Sequence, residues 1–323
     1  MAQRPIYSVR QCWEIYDRIQ LPQQHRHAPG NQSRMVATGV RGLEFLRALQ
    51  QAFLLKVPFE NLDLHYSKHK TISVDPEAIY SKIVGLKAGR ARGGYCSENN
   101  NLFAIFLRSL GFSMYMISAR VSYTSAPGSS PNDPRFAGLG HQATIVTVQG
   151  RRYLVDMGFG NGGPTSPLLL QHEAESLRLP PSLKARMVYK TLPGAESESA
   201  EKVWVYEHTL LGKPELGWVP GYCFPDVECT HEDFEFTNHF FSRSKNSWLT
   251  SHVVCSKFIA DEGENMGHRT VFGDECKAEW RGEKRMERRF ASEHERVEGL
   301  RDLLGLELNE QQRKAIRGMA MEL

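Results

Sequence analysis

The chain has 323 residues, with 40 Lys and Arg against 37 Asp and Glu, a formal net charge of +3. Hydrophobic residues make up 41% and charged residues 24%, the balance of a folded globular chain, which excludes wholesale disorder. A surplus of three charges gives no reason by itself to expect a nucleic acid or a membrane as partner. The length allows two or three compact units, each with its own core.

Taken in chain order, residues 8–20 and 41–56 read as helices. In the second, Leu43, Phe45, Leu46, Leu49, Phe53 and Leu54 recur at helical spacing. VPFENLDLHY follows over 57–66. Within TISVDPEAIYSKIVG, Asp75 and Pro76 supply the N-cap and first residue of a further helix. A glycine-rich turn, GRARGGYC at 89–96, leads into the apolar helix NNNLFAIFLRSLGF, which Gly111 closes. The period then changes. SMYMISARVSY alternates as a strand, and YTSAPGSSPNDP (123–134) reads as a loop. HQATIVTVQGRRYLVDMGFG reads as two strands joined by a hairpin turn at Gln149-Gly150. Strand-like runs such as RMVYKTL and KVWVYEHTL flank a polar loop, PGAESESAEK (193–202). Beyond 226, ECTHEDFEFTNHFF reads as a helix and SWLTSHVVCSKFIA as a strand. The mixed-charge stretch from Glu275 to Leu306 reads as a solvated helix face. Helices first, strands next and a mixed segment last predict an α+β fold.

The six cysteines, Cys12, Cys96, Cys223, Cys229, Cys255 and Cys276, are too sparse and too irregular for a disulfide scaffold. There is no C-x2-C pair, and the single cluster, Cys223, Cys229 and His231, lacks the spacing of a structural zinc site, so no metal is expected. The first residues lack a long apolar run with a cleavage site, and no segment approaches 18 apolar residues. The expectation is a cytoplasmic protein with free thiols.

One thiol stands apart. Cys96 follows Arg92-Gly93-Gly94-Tyr95 and opens a helix, whose N-terminus carries about half a positive charge and favours a thiolate. A nucleophilic thiol needs a base, and the base needs an orienting group. His141 opens one predicted strand and Asp156 ends the next. Pairing 141 with 156 places equal arms about residues 148 and 149, close to the predicted turn. An unpaired carboxylate beside an apolar strand end is costly, and His141 is its natural partner. Cys96, His141 and Asp156 thus make a Cys-His-Asp constellation suited to acyl transfer through a thioester. Two of them also have an ordinary reading, Cys96 as a small buried thiol and His141 as a solvated loop residue; Asp156 beside an apolar strand end is harder to explain that way. A cysteine hydrolase would use the same triad, and a binding module could keep the fold without the chemistry. A nucleic-acid binder would need a clustered basic patch, and the basic residues are scattered.

VPFENL (57–62), RGGYCSE (92–98), HQATIVTV with its His141, and YLVDMGFG (153–160) together resemble, in order, the signature stretches of the arylamine N-acetyltransferase family. YCFPDVECTHEDFEFTNHFFS (222–242) resembles the family more weakly. The resemblance implies a helical domain over 1–110 carrying the nucleophile, a β-barrel over 111–225 carrying His and Asp, and a linker helix with an α/β lid over 226–323, in a cysteine-protease-like arrangement. It implies a ping-pong reaction: Cys96 takes an acyl group, acetyl as the first expectation and malonyl as the alternative, from acyl-CoA, and an aromatic amine, hydrazine or hydroxylamine attacks the thioester. His141 would shuttle protons and Asp156 would orient it. The family's CoA contacts fall on Ala137, Gly138, Gly140, Phe240 and Asn246, and its acceptor-pocket walls on Phe59 and Phe159. Gly160-Asn161-Gly162-Gly163 matches a loop beside that pocket. Two departures bear on the CoA contacts: the family often has a hydroxyl-bearing residue at Ala137 and an aromatic hydroxyl at Phe240. Arg243 and Lys245 could pair with a malonyl carboxylate, or attract CoA phosphates, or be plain surface. Acyl-CoA is expected as co-substrate with no resident cofactor, and a monomer or weak homo-oligomer is expected.

Overall fold

The computed structural model describes residues 4–85, 92–125, 130, 133, 135–177, 183–193, 201–210, 214–260, 266–280 and 283–323. Most of the predicted 123–134 and 193–202 loops and the first three residues of the 89–96 turn lie outside these residues.

The first third is helical: α1 (Val9–Arg18), α2 (Asn31–Thr38), α3 (Gly42–Lys56), then a short strand β1 (Phe59–Glu60), α4 (Pro76–Ile83) and α5 (Cys96–Ser109). Asp75 caps α4 by accepting from the amides of Glu77 and Ala78, with Pro76 in the first turn as its sequence predicts. Gly111, at φ +91°, ends α5. The helix α2, rich in polar residues, has no clear apolar stripe in sequence; Ser33 and Ala37 bury against its neighbours. Tyr16, Phe45, Phe53, Phe103 and Phe106 are fully or almost fully buried and build the helical core.

β2 (Ser113–Ser122), β3 (Phe136–Val148), β4 (Arg151–Val155), β5 (Leu168–Leu169), β6 (Glu175–Leu177), β7 (Lys184–Lys190), β8 (Val203–His208) and β9 (Val219–Phe224) follow. They form one sheet in the order β5-β4-β3-β2-β9-β8-β7-β6. Its two ends approach each other, with β5 against β7 and a bridge from His172 to Met187, so the sheet curls into a nearly closed barrel. The inward residues alternate as period two requires: Ala143 and Ile145 on β3, Tyr206 on β8, Tyr222 and Phe224 on β9. The opposite face of the β3–β4 hairpin, with Val146, Val148, Tyr153 and Val155, closes the helical core.

The last third holds α6 (His231–Arg243), α7 (Trp248–Ser251), β10 (Val254–Ala260), β11 (Met266–Phe272), β12 (Glu275–Trp280), β13 (Glu283–Arg289), α8 (Glu293–Leu304) and α9 (Glu310–Ala315). Two sequence expectations need correction. The stretch from Ser247 begins as the short helix α7 and turns into a strand only at Val254. The mixed-charge stretch from Glu275 is half hairpin: β12 and β13 pair from Glu275–Arg289 to Trp280–Glu283 before α8 begins. Alternating charges such as Lys277, Lys284 and Glu279 sit on exposed or partly exposed strand positions there, so the polar pattern marks a solvated sheet face as well as a helix face. β1 joins this second sheet beside β10, giving the order β1-β10-β11-β12-β13, and α8 covers it with Val297, Leu300 and Leu304. The guanidinium of Arg296, fully buried, pairs with Glu293 and donates to the carbonyls of Met321 (2.8 Å) and Gly273 (3.3 Å). It pins the last residues against α8.

Candidate active site

α5 starts where the segment after Arg92 crosses the second sheet: Phe59 pairs with Ser256 on one side and bridges to Gly94 on the other. This places Cys96 at the first residue of the helix, under the mouth of the barrel. The polar run Ser97, Glu98, Asn99, Asn100 and Asn101 is buried, and Ser97, Asn100 and Asn101 find their partners on the β3–β4 hairpin. Asn101 donates to the side chain of Gln142 at 3.0 Å, and Gln142 donates to Ser97 Oγ at 2.9 Å. Asn100 donates to the Gln142 carbonyl at 2.6 Å and to Asp156 Oδ1 at 3.1 Å, and it accepts from the Met157 amide at 2.9 Å. These bonds lock α5 to the strand ends that carry His141 and Asp156.

The hairpin turns at Gln149 (φ +49°) and Gly150 (φ +73°), as predicted; two positive φ angles suit the right-handed twist of its strands. Its register corrects the sequence reading. Val148 faces Arg151 and Thr144 faces Val155, so the ladder is centred on the turn itself. Asp156 lies one step past the last pair, and His141 is not directly opposite it. The pairing is diagonal: His141 Nε2 meets Asp156 Oδ2 at 2.6 Å. His141 shares the inward face of β3 with Ala143, and its ring lies 4.9 Å from Tyr222 and 5.2 Å from Phe159.

Both members of the pair are buried, at 4% and 2% exposure. Burial opposes an imidazolium at His141, but the charge and hydrogen bond of Asp156, and then the Cys96 thiol, outweigh it and raise its pKa to about 10. Burial would raise Asp156; the His141 charge, the hydrogen bonds from His141 and the Gly158 amide (2.7 Å), and Asn100 hold it below its ordinary value. Cys96 Sγ lies 3.9 Å from the Gly140 carbonyl. Gly158 packs so close that a Cβ there would stand 2.4 Å from Cys96 Cα. The three predicted residues therefore converge.

The other predicted positions fall around this centre in different ways. Phe159 edges onto His141, Tyr222 (4.9 Å) and Tyr206 (6.4 Å) inside the barrel mouth. Phe59 packs with Tyr95, Leu249 and Phe241. Ala137, Gly138 and Gly140 lie on β3 just before His141. A Cβ at Gly140 would strike the Phe241 ring at 2.0 Å, so glycine there lets α6 close over the strand. Phe240 is 51% exposed beside Phe241, and Asn246 is exposed on the turn after α6. Within Gly160-Asn161-Gly162-Gly163, Asn161 meets His268 of β11 at 2.7 Å, and Tyr206 donates to the Gly162 carbonyl at 2.9 Å. The sequence reading passed over Asn100, Gly158, Tyr222 and Glu98. Gly158 stood only as part of the VDMGFG stretch, and the asparagines only as the start of an apolar helix.

All six cysteines are free thiols. Burial pushes Cys12 and Cys223 up to about 12 and Cys276 up to about 11, drives Cys255 well above its ordinary value, and raises Cys229. Iodoacetamide near neutral pH is therefore expected to label Cys96 more than about a hundredfold faster than any of these. Peptide mass mapping over a time course reads this out, and equal labelling of all six would sink the activated-thiol assignment.

A family model described as N-acetyltransferase matches residues 42–313. The chain belongs to the arylamine N-acetyltransferase family and is an acyltransferase. It is 30% identical to N-malonyltransferase FDB2 of Fusarium pseudograminearum over 325 residues, covering 97% of this chain and 93% of that one. It is 29% identical to the arylamine N-acetyltransferase / N-hydroxyarylamine O-acetyltransferase of Salmonella typhimurium, over 70% of each chain. The structure of the Nocardia farcinica arylamine N-acetyltransferase shares the fold, with a TM-score of 0.75 at 24% identity over 99% of both chains. The Mycobacterium marinum enzyme solved in complex with CoA has a TM-score of 0.71 at 22% identity, over 94% of this chain and 97% of that one.

Proposed function

We propose that the chain transfers an acyl group from acyl-CoA to the nitrogen of a small aromatic amine, hydrazine or hydroxylamine by a ping-pong route. The observation that carries this is the buried His141–Asp156 pair beside a thiol at a helix N-terminus. In the first half, the Cys96 thiolate attacks the thioester carbonyl of acyl-CoA, and the CoA thiolate leaves, taking a proton from the His141 imidazolium. In the second, the amine attacks the acyl-Cys96 carbonyl and passes its proton to His141, and the sulfur leaves as the thiolate, which restores the thiolate and imidazolium with which the cycle began. Asp156 keeps the imidazole oriented throughout. The aromatic walls of Phe59 and Phe159 suit an aryl ring. Ala137, Gly138, Gly140, Phe240 and Asn246 line the approach on the β3 and α6 side, which we assign to the pantetheine and nucleotide of CoA. We divide the chain into a helical unit over 1–110, a barrel over 111–225 and a lid over 226–323. The two separate sheets and the helical core between them support that division. No helix among the described residues is long and apolar enough to cross a membrane, and we place the enzyme in the reducing cytoplasm, where Cys96 stays free.

A second reading concerns the donor. The relative that matches along nearly the whole chain is an N-malonyltransferase, whereas the Salmonella acetyltransferase matches over 70%. This favours malonyl-CoA over acetyl-CoA, with Arg243 or Lys245 near the α6 end as candidate partners for the malonyl carboxylate. Acetyl-, propionyl- and malonyl-CoA, assayed in parallel with one aminophenol acceptor, decide it. A preference for malonyl-CoA of about tenfold or more in kcat/KM is expected, with the malonyl group found on Cys96 by mass analysis. A preference for acetyl-CoA discards the malonyl reading and keeps the acyltransferase. No thioester with any donor discards both.

A further inference from the structure

The buried polar side of α5 carries one group that the reaction above leaves unused. Glu98 lies two residues after Cys96 and is 2% exposed. Its Oε2 accepts from the Tyr95 amide at 3.1 Å, closing the turn that delivers Cys96 into the helix, and its Oε1 accepts from Lys82 Nζ at 2.7 Å. Gly94 passes so close that a Cβ there would sit 2.5 Å from Glu98 Cβ. Lys82, on α4, also reaches Asp63 at 2.9 Å and Glu60 at 3.5 Å. Arg92 forks onto Glu60 at 3.0 and 2.9 Å and touches Asp63 at 3.2 Å. Among the described residues, three carboxylates thus share two cations in this cluster. Glu60 has the Arg92 fork, and Asp63 has both cations, which hold it low against the burial that would raise it. Glu98 has only one ammonium, shared three ways. Burial pushes its carboxyl up to about 7, with Lys82 opposing and Glu60 and Asp63 adding to the rise. The Cys255 thiol of β10, beside Glu60 and Arg92, and the Tyr95 hydroxyl, which donates to Asn238 of α6, are both driven well above their ordinary values by burial and stay uncharged.

We propose that Glu98 is a positioning residue for Cys96, seating the first turn of α5 through the Tyr95 amide and setting the net charge buried beneath the thiol. The proposal rests on Cys96 being the reactive thiol. With its proton, Glu98 leaves the cluster neutral, three acids and two bases carrying two charges of each sign. Without it, the cluster holds one surplus negative charge inside a low-dielectric region, where charge acts over longer distances than in water. An anionic reagent approaching Cys96 then meets repulsion that a neutral one does not.

The test compares Cys96 alkylation by neutral iodoacetamide and anionic iodoacetate across neutral pH. In the natural protein, the rate ratio of neutral to anionic reagent rises about three- to fivefold as Glu98 ionises. In Glu98→Gln, which keeps an oxygen for the Tyr95 amide, that rise is lost. The same rise in both proteins, or none in the natural one, overturns the proposal. Where Cys96 is not labelled selectively in either protein, it is the active-thiol assignment that fails. An infrared titration of the natural protein then decides separately. A buried protonated carboxyl band on the acid side of neutrality, fading as pH rises and absent from Glu98→Gln, supports the proposal; its absence from the natural protein refutes it.

Discussion

Replacing Cys96 with alanine abolishes acyl transfer and leaves the fold intact. Both halves of the proposed reaction run through a bond to this sulfur, so its loss removes the covalent route, and turnover falls to background, about 10⁵-fold or more. The effect on stability is small for a physical reason. The thiol is only partly buried, and its contact with the Gly140 carbonyl, at 3.9 Å, is a weak one. Alanine leaves little cavity and orphans no polar group, so the cost stays under about 1 kcal/mol. The check is a steady-state assay beside a thermal melt, with intact mass after incubation with acyl-CoA. Retained turnover above about one per cent of the natural enzyme, with no acyl adduct, means that the acyl group goes directly from CoA to the amine.

Asp156→Asn is the second large effect, a loss of about 10²- to 10⁴-fold in turnover, by analogy with the same change in other His-carboxylate pairs. The carboxylate accepts from His141, from Asn100 and from the Gly158 amide. An asparagine in that pocket brings an NH₂ group toward at least one of these donors, and it removes the charge that holds the imidazolium against burial. His141 then drops from about 10 toward or below its ordinary value, and the imidazolium beside the Cys96 thiol is lost. Iodoacetamide labelling of Cys96 at pH 7 should fall with it. The sign for stability follows from the same shifts. His141 is raised in the folded chain, so its contribution is complete below its unfolded value near 6.5 and is lost as pH climbs through about 10. Asp156 is lowered, so its contribution is present above its unfolded value near 3.8 and is lost as acid protonates the folded carboxylate. The stability gap between the natural protein and Asp156→Asn is thus widest between about pH 4 and 6.5 and closes on either side. Denaturant melts at a series of pH values measure it. A gap that stays constant with pH would show that the loss is one of packing rather than of charge.

Most of the local signals in this sequence are honoured by the structure, and the reasons are local. Asp75-Pro76 starts α4 because capping needs only an acceptor and a fixed φ. Gln149-Gly150 turns the hairpin because those two residues tolerate positive φ. The glycines before Cys96 bring the chain into α5 at close quarters, Gly93 against Pro58 and Gly94 against Glu98. Where local period was weak or misleading, the reading slipped. α2 has too few apolar residues for a stripe, and the charge pattern of β12 and β13 fits a solvated strand as well as a solvated helix face.

The candidates for the reacting residues were in the sequence by itself: a thiol after Arg92-Gly93-Gly94-Tyr95, and an imidazole and a carboxylate on two arms of one hairpin. A nucleophile, a base and an orienter are recognisable by residue type, and their spacing along short elements is set by period and turn. How they meet was left to the tertiary structure. The ladder register makes the His141–Asp156 contact diagonal. Asn100, from a helix more than forty residues away in sequence, supplies a further hydrogen bond to the carboxylate. The burial of Glu60, Asp63, Lys82, Arg92 and Glu98 into one charge cluster requires β1, α4 and α5 to pack together. Hydrogen-bond donors and charges far apart in the chain exert their effect only once water is excluded between them, and that exclusion is a property of packing, which no short stretch of sequence contains.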